Sequence, residues 1–170
     1  MPRTKKEHII SKDEKQAADL QIKEKQKQID YDTRDFTIEL LITKFEKKDF
    51  FIPPYQRDFV WQPKNKTLFL ESVFLGLPIP FMFFADCDNG KQEVIDGAQR
   101  MQTLVEFYNN QLQLSGLKKL TKLNGFYFKD LSDTQQRKFL NKALRIIILE
   151  EDTPTAARQD LFYRINTTEI

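Results

Sequence analysis

A hairpin that runs straight into a helix is the sequence feature that most restricts the fold. Residues 79–86, IPFMFFAD, form a short apolar and aromatic run bounded by proline and aspartate, which is typical of a buried strand. The stretch 88–90, DNG, predicts a turn, and Gln92–Asp96 predicts a second strand that pairs with the first. From Gly97 to about Tyr108 the apolar residues recur at helical spacing. The segment therefore predicts a strand, a strand and a helix in succession.

Cap residues and apolar spacing predict the remaining elements. Thr37 is a plausible N-cap, and Pro63 and Gly76 suit the first turn and the end of another helix. Prolines 53 and 54 exclude a regular helix or central strand just before Tyr55. The patterns predict helices over 38–48, 63–75, 133–141 and 155–165, and a further strand over 143–149. Helices and strands alternate without a strict βαβ rhythm, which favours a compact α+β domain with a small mixed sheet flanked by helices.

The first 33 residues differ from the rest of the chain. They are rich in Lys, Glu and Gln, contain no glycine, and carry only a thin apolar stripe. We interpret residues 1–33 as a charged leader that is either a solvated helix or disordered, with contact of its lysines to a DNA backbone as the alternative. Residues 34–170 are expected to form the domain, and this domain is expected to continue beyond Ile170.

Composition excludes several functional classes. The chain has one cysteine, Cys87, and one histidine, His8 in the leader, which excludes an internal disulfide, a cysteine zinc cluster and histidine-dependent hydrolysis. A net charge of +2 does not indicate a strongly basic nucleic-acid-binding module. No apolar run is long enough to span a membrane and no signal peptide is visible, so we predict a cytoplasmic protein without membrane contact.

The junction VIDGAQR, where the second strand meets the helix, has two interpretations. The first N–H groups of a helix lack partners within the helix and the helix dipole favours negative charge there, so this end can bind a phosphate. Arg100 could then bind the phosphate with two hydrogen bonds, and Asp96 could hold a magnesium ion. In the second interpretation Asp96 is an ordinary N-cap and forms an i,i+4 ion pair with Arg100.

Four blocks of sequence in order carry a more specific signal than this junction. The blocks IPPYQRDFVW, LFLESVFLGLPIPFMFF, VIDGAQRMQTLVEFY and LFYRINTTEI resemble the N-terminal domain of GmrSD-type modification-dependent restriction enzymes, a domain shared by SspE-like proteins. The resemblance covers about Tyr31 to Ile170. It implies a fold similar to the ParB N-terminal domain and sulfiredoxin, and a nucleoside triphosphatase coupled to an HNH-type nuclease that cuts modified DNA.

The resemblance also implies particular site residues. The family signature D-G-Q-Q-R falls on residues 96–100, where Ala98 replaces the first glutamine. The catalytic residues implied are Asp96, Gln99 and Arg100, with Asp96 as the ligand of Mg²⁺. The residues implied to bind the nucleotide or its phosphates are Gln56, Arg57, Gly97, Arg100, Arg164 and Asn166.

Two functional hypotheses follow. In the first, the domain binds and hydrolyses a nucleoside triphosphate and so drives the recognition or cleavage of modified or foreign DNA by a partner nuclease. No nuclease activity is expected from this chain alone, because its single histidine leaves the nuclease domain in another chain or outside this sequence. In the second, the same fold is a non-catalytic module that binds a nucleotide or DNA, with Ala98 marking the loss of turnover.

Overall fold

A five-stranded mixed sheet organises the fold. The computed structural model describes residues 7–27, 30–56 and 60–168. The strands are β1 (Tyr31–Thr37), β2 (Phe50–Phe51), β3 (Met82–Asp86), β4 (Gln92–Asp96) and β5 (Ala143–Leu149). The helices of the described residues are α1 (Lys12–Gln26), α2 (Ile38–Glu46), α3 (Pro63–Leu75), α4 (Ala98–Tyr108), α5 (Asp133–Leu140) and α6 (Thr155–Thr168).

The strand order in the sheet is β1-β5-β3-β4-β2. β3 and β4 pair as an antiparallel hairpin, as predicted, and β3 lies parallel to β5 on its other side. β1 pairs antiparallel with β5 along its whole length, and β2 adds a short parallel pairing to β4. The mixed sheet with helices packed on it confirms the predicted α+β class.

The helix ends form for the reasons that the sequence indicates. The Thr37 hydroxyl accepts a hydrogen bond of 3.2 Å from the backbone N–H of Leu40, which caps α2. Pro63 occupies the first turn of α3, and this helix ends at Gly76, whose φ of +69° is the left-handed conformation that favours glycine. Ser132 caps α5 in the same manner as Thr37.

The sheet carries apolar residues on both faces. The larger cluster lies against α2, α3, α4 and α5 and contains the buried rings of Phe84, Phe107 and Phe139. The smaller cluster consists of Ala85, Ile95 and Leu149, with partly buried side chains of α6 packed on it. Neighbouring residues of β3 and β4 therefore point into different clusters, as strand geometry requires.

Two regions have secondary structure that the sequence patterns left open or did not indicate. α1 is a regular helix with a capping box at Ser11, and it buries none of its residues, in line with a solvated leader helix. β1 was not predicted, and it crosses the boundary expected between residues 33 and 34. Phe36 is its one buried side chain, so the apolar pattern that marks a half-buried strand is missing.

None of the helices in the described part of the chain is long and apolar enough to cross a membrane.

Candidate functional site

A cleft of about 500 Å³ opens where β4 meets α4, with α3 and α6 on its sides. Its lining combines polar and apolar side chains. Polar lining residues are Gln56, Asn65, Ser72, Asp96, Gln99, Arg100 and Asn166. Apolar and aromatic lining residues are Val60, Trp61, Leu68, Phe69, Ile79 and Phe162. Concave sites of this size, mostly apolar with a few converging polar groups, are typical of small-molecule binding.

Gly97 makes the turn from β4 into α4. Its φ of +112° is disfavoured for any residue with a side chain, and a Cβ here would lie 2.6 Å from Cγ of Met82. The N-cap position itself is this glycine, which has no side chain to accept from the first backbone N–H groups of α4, and these groups lie at the start of the helix beside the cleft. Both the backbone conformation and the contact with Met82 require glycine.

Asp96 and Arg100 form the ion pair that their i,i+4 spacing predicts. Nη2 of Arg100 lies 2.9 Å from Oδ2 of Asp96, and both side chains are largely buried. The guanidinium also donates to the backbone carbonyls of Pro80 and Phe81. Arg100 thus joins the start of α4 to the segment that enters β3, and it holds its positive charge at the edge of the cleft.

Gln99 connects α4 to the segment before α3. Its Oε1 accepts a hydrogen bond of 2.9 Å from the backbone N–H of Trp61, and its Nε2 lies 3.4 Å from Oε1 of Gln102. The Trp61 ring packs edge-on against Phe69 with ring centres 5.6 Å apart. Gln99 therefore holds the residues just before α3 against α4.

Gln56 is anchored to β4 directly beneath the cleft. It is 4% exposed, and its Nε2 donates to the backbone carbonyls of Val94 and Ile95, the latter at 2.6 Å. A buried amide with both hydrogens engaged fixes the end of the proline-rich segment beside Asp96.

The remaining residues predicted from the resemblance are distributed differently. Asn166 lines the cleft and donates from Nδ2 to the carbonyl of Phe162 at 2.7 Å. Arg164 does not line it, and its guanidinium pairs at 2.8 Å with Asp160 on the exposed face of α6. Arg57 lies outside the described residues. The structure thus brings Gln56, Asp96, Gly97, Gln99, Arg100 and Asn166 together.

A buried network behind the cleft was missed by the sequence analysis. Nη1 of Arg158 lies 3.0 Å from Oε2 of Glu93, and the hydroxyl of Tyr55 donates to Oε1 of the same carboxylate at 2.9 Å. Arg158 also donates to the carbonyls of Asp86, Glu151 and Thr153. The charged residue Glu93, directly before the apolar pair Val94 and Ile95 in β4, was the available signal, because a buried carboxylate needs a partner.

This network affects the acid–base behaviour of Tyr55. Burial, together with the hydrogen bond that it donates to Glu93, raises the pKa of the Tyr55 phenol well above its ordinary value. The ring of Tyr55 also contacts that of Phe162, with centres 5.2 Å apart. The network therefore connects β4, the segment around Tyr55 and α6, which closes one side of the cleft.

A metal ion held by several protein ligands does not fit this cleft. Among the described residues no group of three or more His, Cys, Asp or Glu side chains lies close enough to hold a metal. Asp96 is the one carboxylate in the described lining. A single carboxylate does suit a magnesium ion that arrives on a nucleotide, because phosphate oxygens and water then supply its other ligands.

Comparison with known proteins assigns the domain. The family model described as the GmrSD restriction endonuclease, N-terminal domain, matches residues 37–170, which include the whole cleft. No curated protein and no solved structure matches the chain. The likeness to the ParB and sulfiredoxin folds stays a prediction.

Proposed function

Because the chain belongs to the family of GmrSD restriction endonuclease N-terminal domains, and hence to a restriction or defence system, we propose that its cleft binds and hydrolyses a nucleoside triphosphate. The observation that carries this proposal is the position of the N-terminus of α4, with Gly97 and Arg100, in the lining of a cleft of about 500 Å³.

The start of α4 suits the phosphates. The first backbone N–H groups of a helix have no acceptor within the helix, and the dipole of this 11-residue helix favours negative charge at its N-terminus. Gly97 leaves the backbone without a side chain, so a phosphate can approach it closely. Arg100 contributes positive charge from a fixed position, since its guanidinium is held by Asp96 and by the carbonyls of Pro80 and Phe81.

The apolar side chains of the lining suit the base. Leu68 and Phe69 of α3, together with Trp61 and Ile79, give the cleft aromatic and aliphatic surfaces. A base packed on such side chains is removed from water while the phosphates bind at the start of α4. The polar and apolar groups of the lining therefore match the two chemically different parts of a nucleotide.

In the proposed reaction, water attacks the terminal phosphorus and the nucleoside diphosphate departs. Asp96 would hold a magnesium ion bound to the phosphates, and this ion would supply Lewis-acid stabilisation of the charge that develops there. Arg100 would stabilise the same charge electrostatically, at no cost in reorganisation because its position is already fixed. Gln99 would orient the attacking water through the part of its amide that Trp61 and Gln102 leave available.

Turnover in this domain would control DNA recognition or cleavage. The family name links the domain to a restriction endonuclease. We propose that hydrolysis licenses an HNH-type nuclease, in another chain or another part of the system, to cut modified or foreign DNA. The described residues offer no histidine-based metal site that could cut DNA themselves.

A second candidate function is nucleotide binding without turnover. It is favoured by Ala98, which is 5% exposed and packs in the core at the position where the family signature has glutamine. It is also favoured by Gln99, whose Oε1 already accepts a hydrogen bond from the backbone N–H of Trp61. A site in which one glutamine of the signature is absent and the other is hydrogen-bonded to the protein can bind phosphates, but it orients an attacking water poorly. Binding of the nucleotide would then be the signal that the nuclease partner detects.

The experiment that tests the proposal measures release of inorganic phosphate from each of the four nucleoside triphosphates, with Mg²⁺, with and without DNA. The variants are Arg100→Lys, which keeps the charge but loses the guanidinium geometry, and Arg164→Lys, a matched control outside the cleft. Turnover that disappears only in Arg100→Lys, with circular dichroism unchanged, supports hydrolysis at this cleft. Tight binding with no turnover in the wild type supports the second candidate, and absence of both overturns the proposal.

A further inference from the structure

Two side-chain amides of the cleft, those of Gln56 and Asn166, have their nitrogen hydrogen-bonded to the protein. A glutamine or asparagine amide has an oxygen that accepts and a nitrogen that donates through two hydrogens. Each hydrogen that the protein engages is no longer offered to a ligand. The hydrogen bonds of Gln56 and Asn166 therefore determine which kind of ligand atom each can recognise.

Gln56 can offer its oxygen. Its Nε2 carries two hydrogens, and these point at two carbonyl oxygens of β4, those of Val94 and Ile95. With the amide 4% exposed, a flip would bring the oxygen against both carbonyls and leave the nitrogen without them. The orientation of Gln56 is thus set by β4, and Oε1 is its group for a ligand.

Asn166 is engaged in the same sense, but through one hydrogen. Its Nδ2 donates to the carbonyl of Phe162 one helical turn earlier, at 2.7 Å, which leaves the acceptor Oδ1 and the second hydrogen of Nδ2. The two amides belong to neighbouring elements, because the ring of Tyr55, next to Gln56, contacts the ring of Phe162 at 5.2 Å. The cleft therefore has two amide oxygens on the side formed by Gln56 and α6.

Two acceptor oxygens are unsuited to phosphate. Phosphate oxygens are themselves negatively charged acceptors, so they favour the N–H groups of α4 and the Arg100 charge. We propose that Gln56 and Asn166 instead accept hydrogen bonds from the ribose hydroxyls of the bound nucleotide. This inference rests on the proposed function, and it changes the role of both residues from phosphate binding to recognition of the sugar.

The position of Gln56 favours the sugar over the base as the source of these hydrogen bonds. Gln56 is bonded to Val94 and Ile95, the two residues immediately before Asp96, so it lies beside the start of α4, where we propose that the phosphates bind. In a nucleotide the ribose is the part attached directly to the phosphates. In the proposed arrangement the base, with any amino group, packs on apolar side chains such as Leu68 and Phe69.

The test compares ribonucleoside triphosphates with their 2′-deoxy and 3′-deoxy forms, with binding followed by calorimetry. The wild type is expected to bind the ribose form more tightly than a deoxy form by on the order of tenfold, the effect of one hydrogen bond. Asn166→Leu removes one of the two acceptors and should abolish the preference over one of the two deoxy forms, whereas Asn166→Asp keeps an acceptor oxygen and should retain it. Gln159→Leu, an exposed amide on the same helix, is the matched control and should behave as the wild type.

The outcomes separate the inference from the proposed function. If ribose and deoxy forms bind equally well, the inference fails while nucleotide binding stands. If the deoxy forms bind equally but affinity depends on an amino group of the base, the oxygens recognise the base and the inference is overturned. If none of the nucleoside triphosphates binds a folded wild-type protein, the proposed function and the inference fail together.

Discussion

Nη1 of Arg158 and Oε2 of Glu93 lie 3.0 Å apart beneath α6, where the two side chains are only 9% and 11% exposed. This pair does not touch the proposed ligand, yet it holds α6 on β4 and so determines whether the cleft has its side wall. A buried pair of this kind is costly to break because the remaining charge stays buried, away from water and without its counter-charge.

We expect Arg158→Met to lower the free energy of unfolding by about 3–5 kcal/mol, because the Glu93 carboxylate stays buried without its counter-charge. Urea denaturation followed by circular dichroism measures this change. Arg164→Met is the control, since the Arg164–Asp160 pair is exposed and its loss should change stability by no more than about 0.5 kcal/mol. Equal effects of the two substitutions would contradict a structural role for the buried pair.

Tyr55 predicts a loss of stability at high pH. Burial and the hydrogen bond donated to Glu93 raise the pKa of its phenol above the ordinary value of about 10. Above this pH the unfolded chain loses the phenolic proton first, so the free energy of unfolding falls as pH rises, by up to about 1.4 kcal/mol per pH unit.

Tyr55→Phe should remove this contribution to the slope, as measured by urea denaturation in a series of alkaline buffers. Tyr163→Phe is the matched control, because Tyr163 is 67% exposed. A slope that is the same in wild type and Tyr55→Phe would show that the phenol titrates normally.

Gly97→Ala should destabilise the protein by about 2 kcal/mol or more, because φ is positive and the new Cβ would collide with Met82. Thermal and urea denaturation measure the effect. Gly90→Ala isolates the conformational part, since φ is +78° there and a Cβ would meet no atom within 4 Å. We expect the control to cost roughly 1 kcal/mol, and a cost at Gly97 no larger than that at Gly90 would exclude the steric contribution.

Asp96→Asn should reduce Mg²⁺-dependent phosphate release by about a hundredfold or more, because the proposed metal ligand and the counter-charge of Arg100 are both lost. Asp160→Asn removes the acid of another i,i+4 pair, which lies on the exposed face of α6, and should leave the rate unchanged. Rates are compared at saturating nucleotide after melting curves have shown that each variant is folded. A normal rate in folded Asp96→Asn would remove Asp96 from the mechanism.

Trp61 is the single tryptophan and lines the cleft, so its fluorescence reports on the site. Gln99→Leu removes the acceptor of the hydrogen bond from the backbone N–H of Trp61. We expect the Trp61 ring to become more exposed, which shifts its emission to longer wavelength and makes quenching by iodide easier. Gln102→Leu is the control, because its described contact in this region is only the 3.4 Å one with Gln99. An unchanged spectrum in Gln99→Leu would show that packing on Phe69 alone holds Trp61.

Much of the fold could be predicted because its determinants are local. Pro63 and Gly76 bound α3 in the structure as they do in the sequence pattern, and Thr37 and Ser132 cap the helices that follow them. β1 could not be predicted, because it is a strand only through its pairing with β5. Its side chains are mostly exposed and do not alternate between apolar and polar, so the sequence does not indicate that this segment pairs with a strand far along the chain.

One contact of the cleft could be predicted from the sequence, and most of the others could not. The i,i+4 spacing of Asp96 and Arg100 indicates their ion pair, although Asp96 is the last residue of β4 and only Arg100 lies in α4. The bonds of Gln56 and Gln99 join residues 38 or 39 positions apart, which is a property of tertiary packing. Arg158 collects partners from several separate segments, so no local pattern marks it.

The order of the strands has a consequence for how the chain folds during its synthesis. β5 lies between β1 and β3, and the facing residues Asp35 and Arg145 are 110 positions apart. While the ribosome makes the residues in between, β1 has emerged but has no neighbour in the sheet. Closure of so long a loop is slow, and until β5 is made the unpaired edge of β1 can pair wrongly with other strands. The last of the five strands to be synthesised is therefore the one that joins the first to the others.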